Sequence, residues 1–193
     1  MSRSRHPRRS RPRPTARVLA AMTLMAVEQE DAHANSTLGA LLKEHGIADP
    51  RERSLSRELV YGALRWQRLL DHAIDPHLRP GRPIEPLARV LLRLGAYQLF
   101  HLDRIPAPIA VSATQDTARH MGAGRLSGLL NAVLRKVSGA GPPRIEGADP
   151  EKVALRAGVP SWMVPLAQLA FGQEEAEREL LALRQRAATT VRP

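Results

Sequence analysis

The apolar positions of the chain recur with the spacing of α-helices, and few segments alternate with the two-residue period of a strand. Helical patterns cover residues 38–44, 50–66, 87–102 and 109–121. The pattern at 87–102 is apolar nearly all round, which is typical of a helix at the centre of a bundle. Two further patterns predict apolar faces made of Val18, Met22, Met25 and Ala26, and of Leu126, Leu129, Leu130, Val133, Leu134 and Val137.

Residues that are common at helix N-termini support these predicted helices. Ser36 is a predicted N-cap for the helix at 38–44, and Asp49 for the helix that begins at Pro50. Glu52 stands three residues after Asp49, which is the spacing of a capping box. The pattern as a whole predicts an all-α fold, a helical bundle of about seven helices with a short helical C-terminal extension.

Changes of composition divide the chain into four parts. Residues 1–14 are rich in Arg, Ser and Pro and have almost nothing to bury, so we expect a disordered basic tail. The bundle follows at 15–137, and residues 138–150 are a linker by their Gly and Pro content. Residues 151–193 contain two short helical patterns, at about 161–171 and 174–186.

Composition narrows the possible functions. The chain has 193 residues, of which 43% are hydrophobic and 25% charged, so it can bury a core as one domain with an appendage. It contains no Cys, which excludes disulfides, thiolate metal sites and a Cys nucleophile. No run of about 18 apolar residues could span a bilayer. Three acids at 28–31 argue against a signal peptide, so we expect a cytoplasmic protein without a membrane partner.

Positive charge is the most informative feature of the composition. The formal net charge is +10, and the first 14 residues hold six arginines and no acid. A polyanion is the expected partner, nucleic acid ahead of membrane. The arginines of the tail could neutralise several phosphates, although the tail could instead serve only to solubilise the chain. These residues are Arg3, Arg5, Arg8, Arg9, Arg11 and Arg13.

Two helices carry basic residues on faces opposite their apolar ones. Arg57, Tyr61, Arg65 and Arg68 follow the spacing i, i+4, i+8 and i+11, so three guanidiniums and a phenol form one stripe. Such a stripe could grip phosphates and stack on a base, or could be a solvated face with Tyr61 packed at its edge. On the later helix, Asn131, Arg135 and Lys136 also oppose the apolar face. Asn131 could bond a partner or cap a neighbouring loop.

No catalytic or metal site is evident. Asp71, His72, Asp75 and His77 lie beside a proline-rich turn and are better explained as polar residues at a helix end than as metal ligands. The segment 122–128 contains three glycines but lacks the Lys-Ser/Thr of a phosphate-binding loop and the preceding strand. We interpret it as a helix–helix turn.

Three stretches together resemble a known family. They are RELVYGALRW at 57–66, LLRLGAYQLFHLDRIP at 91–106 and NAVLRK at 131–136. In order and spacing they resemble the NusB-like RNA-binding domain, more narrowly the version at the front of the bacterial rRNA cytosine-C5 methyltransferases (the RsmB/Sun/Fmu group). The resemblance covers about 15–137, and 160–192 resembles the connection to the next domain. Ser112 and Ala113 replace the Asn-Glu pair usual in the family.

The resemblance implies the N-terminal targeting module of a 16S rRNA (cytosine-C5) methyltransferase, truncated before its catalytic domain. Small-subunit rRNA is the implied partner, with a ribosomal protein or a separate methyltransferase domain as further candidates. S-adenosylmethionine would belong to the missing domain, so no cofactor is expected in this chain. Cytosine C5 becomes nucleophilic only after a thiolate adds at C6, and a chain without Cys cannot supply that step. We therefore expect no enzymatic activity from this chain alone.

We expect the RNA to contact the basic tail, the stripe that starts at Arg57, and the basic residues between 125 and 136. Tyr61 would lie near a base and Asn131 would bond the RNA; the phosphate contacts in the bundle would come from Arg17, Arg57, Arg65, Arg68, Arg125, Arg135 and Lys136. Two alternatives remain: a stand-alone NusB-type transcription antitermination factor, and a protein-docking helical module that binds no RNA. Residues 151–193 argue against the first, and should expose apolar surface if a neighbouring domain is missing.

Overall fold

In the computed structural model, which describes residues 13–183, every regular element is helical, as the sequence pattern predicts. Seven helices form the bundle and three more form a C-terminal unit. The bundle consists of α1 (Ala16–Glu30), α2 (Ala34–Glu44), α3 (Pro50–Arg65), α4 (Gln67–Ile74), α5 (Pro86–His101), α6 (Ala107–His120) and α7 (Ser127–Ala140). The C-terminal unit consists of α8 (Pro150–Ala157), α9 (Met163–Phe171) and α10 (Gln173–Ala182). No helix within 13–183 is both long enough and apolar enough to cross a membrane.

Helix α5 is the centre of the bundle, as its apolar sequence predicts. It packs against α1, α3, α4, α6 and α7. Two glycines allow these neighbours to approach closely. A Cβ on Gly95 would lie 2.5 Å from a methyl of Leu134 on α7, and one on Gly62 of α3 would lie 2.0 Å from the ring of Tyr97. Both positions therefore need a residue without a side chain.

The helix starts agree only in part with the prediction. Asp49 caps α3 by accepting from the Arg51 N–H at 2.9 Å. The predicted capping box is wrong, because the Glu52 carboxylate instead accepts from the backbone N–H of Ala16, at 2.6 Å. The predicted cap at Ser36 is also wrong. Helix α2 begins at Ala34, two residues before Ser36, and His33 is at its N-cap position. The Ser36 hydroxyl donates to the His33 carbonyl.

Two predicted apolar faces differ from the buried faces. Leu129 is 39% exposed, while the remaining apolar residues of its predicted stripe are buried. In α1 the fully buried side chains include Leu19 and Leu24, whereas Met22 and Met25 are only partly buried. The reason is that α1 packs against α2, α3, α5 and α6, so most of its circumference is covered.

The C-terminal unit has its own small core. Val153, Val164, Ala176 and Leu180 belong to a cluster that is separate from the core of the bundle. Helix α8 was not among the predicted patterns; it starts with Asp149, whose carboxylate accepts from the Lys152 N–H at 3.0 Å. Because α7 continues to Ala140, the segment without helix is 141–149. The predicted pattern at 174–186 ends outside the described residues.

Ion pairs tie α5 to α1 and α4. Arg93 contacts both carboxylate oxygens of Asp71 at 2.7 Å and also pairs with Glu28. Arg89 pairs with Asp75. These contacts use the two carboxylates near the proline-rich turn, and within 13–183 no group of three His, Asp or Glu side chains could hold a metal ion.

Candidate nucleic-acid interface

Three residues of the predicted stripe lie together on the exposed face of α3. Arg57 and Arg65 are exposed, and neither has an ion-pair partner among residues 13–183. Tyr61 stands between them, 38% exposed, and its hydroxyl donates to the Asn35 side-chain oxygen on α2 at 3.2 Å. The stripe therefore presents two guanidiniums and one partly exposed aromatic ring to solvent.

The flank of α3 beside the stripe is fixed by a tyrosine of the central helix. The ring of Tyr97 packs against Gly62, and its hydroxyl donates to the Glu58 carboxylate at 2.5 Å. Burial, together with the hydrogen bond to Glu58, raises the pKa of Tyr97 well above its usual range, so the hydroxyl stays a donor. This contact sets the height and rotation of α3, and with them the direction in which the stripe points.

The prediction that Arg68 belongs to the stripe is wrong, because its side chain binds other residues of the chain. Helix α3 ends at Arg65, and Arg68 lies on α4. Its guanidinium donates to the Val159 carbonyl at 2.6 Å and to the Glu151 carboxylate at 2.7 Å. Hydrogen bonds from Ser161 and Arg68 lower the pKa of Glu151. Arg68 therefore joins the bundle to the C-terminal unit.

Arg17 is also held inside the fold. Its Nε donates to the side-chain oxygen of Gln98 at 2.7 Å, and Gln98 is fully buried on α5. Burial lowers the pKa of Arg17, and the nearby Glu52 partly opposes that effect. The sequence pattern could not show this, because the partner is 81 positions away. Arg17 and Arg68 therefore do not belong to the candidate surface.

Asn131 and Arg135 line a groove between α6 and α7. The groove has a volume of about 460 Å³ and is lined by Ala107, Pro108, Val111, Ser112, Gln115, Asn131, Arg135, Ser138 and Gly139. Asn131 is half-buried and caps no loop within the described part of the chain. Arg135 is exposed and, in the same part, has no carboxylate partner.

Lys136 faces a second, larger cleft on the other side of α7. The turn between α4 and α5 brings Arg79 and Arg82 to the same cleft, over a floor that includes Leu78 and Ile84. Sequence reasoning missed these two arginines. The signal that could have found them is the basic turn at 79–83, where two arginines flank Pro80 and Gly81. At the rim, Arg125 donates to both oxygens of Glu85, at 2.7 and 2.8 Å, so its charge is already neutralised.

The basic tail is represented by one residue. Arg13 is exposed, whereas Arg3, Arg5, Arg8, Arg9 and Arg11 lie outside the described residues. The expected phosphate contacts of the tail therefore stay a prediction.

The sequence of the bundle matches one known protein family. The model of the NusB family matches residues 14–139, which include all seven helices of the bundle except the last residue of α7. The chain belongs to the NusB family. This confirms the resemblance seen in the three sequence stretches.

Relatives of this NusB-family chain are considerably longer proteins. A probable ribosomal RNA small subunit methyltransferase B of Bacillus subtilis is 31% identical over 166 residues, covering 85% of this chain and 37% of that protein. A putative methyltransferase of Mycobacterium tuberculosis, Rv1407, is 43% identical over 71% of this chain and 30% of its own length. The chain thus spans about a third of these relatives.

Two solved structures share the fold. A complex of the antitermination factors NusB and NusE with dsRNA contains a chain that matches with a TM-score of 0.59 and 22% identity, over 65% of this chain and 94% of that one. The structure of PH0851 matches with a TM-score of 0.67 and 15% identity, over 92% of this chain and 40% of that one. The second likeness extends beyond the bundle, so the helical unit that follows a NusB-type bundle is also found in another protein.

Proposed function

We propose that this chain is the RNA-binding targeting module of a bacterial small-subunit rRNA (cytosine-C5) methyltransferase. The observation that carries the proposal is the extent of the similarity. The match to the Bacillus subtilis methyltransferase covers 166 residues, more than the NusB family match at 14–139 can hold. Part of α8–α10 is therefore shared with that relative. A stand-alone antitermination factor would not need this unit, which disfavours the alternative.

The surface chemistry supports RNA as the ligand. Arg57 and Arg65 have no carboxylate to satisfy them within the described chain, so phosphate oxygens can take both guanidiniums. Tyr61 between them has a partly exposed ring, on which an unpaired base could stack. Phosphate contacts at the stripe would fix the position of the RNA without selecting its sequence. Binding to ribosomal RNA implies that the protein works in the cytoplasm.

Methyl transfer would belong to the catalytic domain of such an enzyme. Attack on cytosine C6 needs a thiolate, and this sequence contains no Cys. S-adenosylmethionine sites of this chemistry are built on an α/β sheet with a glycine-rich turn, and residues 13–183 contain no strand. The residues described here do not fit that cofactor, and we assign its site to the catalytic domain.

The exposed face of α9 and α10 supports an interface with that catalytic domain. Trp162 is 63% exposed and Leu166 55% exposed, and Phe171 and Leu183 extend the same apolar surface. A monomer rarely leaves so many large apolar side chains together in water. About two thirds of the length of these relatives lies outside the part that matches this chain, so their catalytic part is the natural occupant of this face. A ribosomal protein remains a further partner of the module.

A charge reversal on the stripe tests the RNA-binding function. In Arg57→Glu/Arg65→Glu, we expect at least about tenfold weaker binding to a set of small-subunit rRNA hairpins at moderate salt. The slope of log affinity against log salt should fall by about 0.7–0.9 for each lost phosphate contact. The measurement is a fluorescence anisotropy titration over a range of salt concentrations, with unrelated RNA and duplex DNA as competitors.

The control makes the same change of charge elsewhere. Arg119→Glu/Arg144→Glu replaces two exposed arginines, one on α6 beside Asp116 and one in the segment 141–149. Equal losses in both variants would reduce the effect to net charge and contradict the stripe. A wild-type chain that binds no RNA at physiological salt would favour the protein-docking alternative.

A further inference from the structure

We propose that the groove between α6 and α7 binds an unpaired nucleobase, and that Asn131 reads its edge while Arg135 holds an adjacent phosphate. The inference rests on the proposed function, because it names the part of the RNA that this groove would select. The ligand is a flipped-out or single-stranded base, the form in which base edges are accessible in RNA.

The groove combines an apolar floor with a polar rim. Ala107, Pro108 and Val111 of α6 form apolar surface, against which the face of a base or ribose can lie. Asn131, Arg135 and other polar side chains complete the wall on both helices. At about 460 Å³ the groove is within the range of small-ligand sites, roughly 300–1,000 Å³.

The polar side chains have hydrogen-bonding capacity to spare. Asn131 makes no hydrogen bond within residues 13–183, so its amide can donate and accept at once, which a base edge requires. The Gln115 amide nitrogen donates to the Ser127 carbonyl at 3.1 Å, which fixes the side chain and leaves its oxygen available as an acceptor. The Ser112 hydroxyl donates to the Ile109 carbonyl and can still accept.

The charge of the groove favours a nucleotide over an acidic or basic peptide. Arg135 is the one charged residue of the lining, and the lining contains no carboxylate. A single cation beside a neutral amide matches one phosphate beside one base. A basic peptide would find no partner here, and an acidic helix would need several cations.

The groove and the α3 stripe belong to different parts of the bundle. Helix α3 packs against α1, α2, α4 and α5, while α7 packs against α4, α5 and α6. The two surfaces can therefore contact different segments of one RNA. We assign sequence-independent contacts to the stripe and base selection to the groove.

A binding selection separates these two roles. The full chain is incubated with a pool of RNA hairpins whose loops are randomised, and bound RNA is sequenced. We expect the wild-type chain to enrich particular bases at one or two loop positions by about tenfold, the size of one good base contact. Asn131→Ala should abolish that enrichment, whereas Arg57→Glu/Arg65→Glu should weaken binding of the whole pool and keep the enrichment. Gln29→Ala, an exposed amide on α1, is the matched control.

Each outcome decides between the two proposals. If Asn131→Ala keeps the wild-type enrichment, or weakens all pool members equally, the groove does not read a base. If the wild-type chain binds the pool without enrichment, base selection is overturned while RNA binding stands. If no RNA is retained, the proposed function itself fails. A 4-thiouridine placed at the enriched position should crosslink to residues 107–115 or 131–138, and a crosslink confined to α3 would contradict the assignment.

Discussion

At the residue scale, the contact between Gly62 and Tyr97 decides how α3 sits on α5. The phenol ring occupies the space of a side chain at position 62, and its hydroxyl reaches Glu58 one turn away. His101 lies against the same ring, with centroids 5.0 Å apart, and stacks on Trp66 at 4.4 Å. One aromatic cluster therefore links both ends of the exposed stripe to the central helix.

Replacing Gly62 with Ala should destabilise the bundle. The new Cβ would lie 2.0 Å from the ring of Tyr97, which must move and lose its bond to Glu58. We expect a loss of about 1–3 kcal/mol in the free energy of unfolding, measured by urea titration followed by circular dichroism. The control is Gly39→Ala in α2, where a Cβ meets nothing within 4 Å. That variant should gain about 0.5–1 kcal/mol from helix propensity. Equal effects in both variants would show that the close contact is unimportant.

Single residues also show where sequence reasoning succeeds and fails. The helical period places Arg57, Tyr61 and Arg65 on one exposed face, because neighbours on a helix surface are fixed by local geometry alone. The same period fails for Arg17 and Arg68, whose partners are 81 and 91 positions away. Leu129 belongs to an apolar pattern yet is exposed, since the pattern does not reveal how much of a helix its neighbours cover.

At the scale of elements, arginines tie the C-terminal helices to one another, to the segment before them and to the bundle. Arg156 of α8 donates to the carbonyls of Ile145 and Gly147 and pairs with Glu177 of α10 at 2.6 Å. The segment 141–149 is therefore held at two of its carbonyls, although its composition suggests a linker. Gly158 ends α8 with φ +68°, where a Cβ would lie 3.0 Å from the Arg65 carbonyl.

Removing the Arg68 side chain should loosen α8 without weakening RNA binding. Arg68→Ala leaves the buried Val159 carbonyl without its donor, a cost of about 1–3 kcal/mol for the attachment of the unit. Hydrogen exchange should therefore quicken in α8–α10 and stay unchanged in α1–α7. Affinity for the rRNA hairpins should stay within about twofold. Arg178→Ala removes an exposed pair inside α10 and serves as the control. A large loss of RNA affinity in Arg68→Ala would return this residue to the binding surface.

At the scale of the whole molecule, the chain presents unlike surfaces on its two units. The bundle carries the exposed cations of α3, the groove and the cleft, whereas α9 and α10 present an apolar face. This separation matches a module that holds RNA on one part and a protein on another. The excess of positive charge in the composition predicts the basic surface of the bundle. The sequence also predicts apolar surface somewhere in 151–193, but only the tertiary structure shows which leucines form it, because Leu166 is exposed and Leu180 is buried.

Polar substitutions on the apolar face should weaken docking to a catalytic domain. We expect the full chain to bind the catalytic part of the Bacillus subtilis relative in size-exclusion chromatography and calorimetry. Leu166→Ser/Phe171→Ser should lower that affinity at least about tenfold, because large apolar residues dominate such interfaces. Leu129→Ser, an exposed leucine on α7, is the control. Self-association of the chain that these substitutions abolish, with no binding to the catalytic part, would assign the face to a second copy.

The same apolar face has a consequence for the lifetime of the protein in a cell. Chaperones and quality-control proteases recognise clusters of exposed large apolar side chains, and Trp162, Leu166 and Phe171 form such a cluster in the folded state. Turnover should then follow how fully this face is covered rather than folding stability alone. We expect the uncovered face to act as a degradation signal, and docking of the catalytic part to mask that signal.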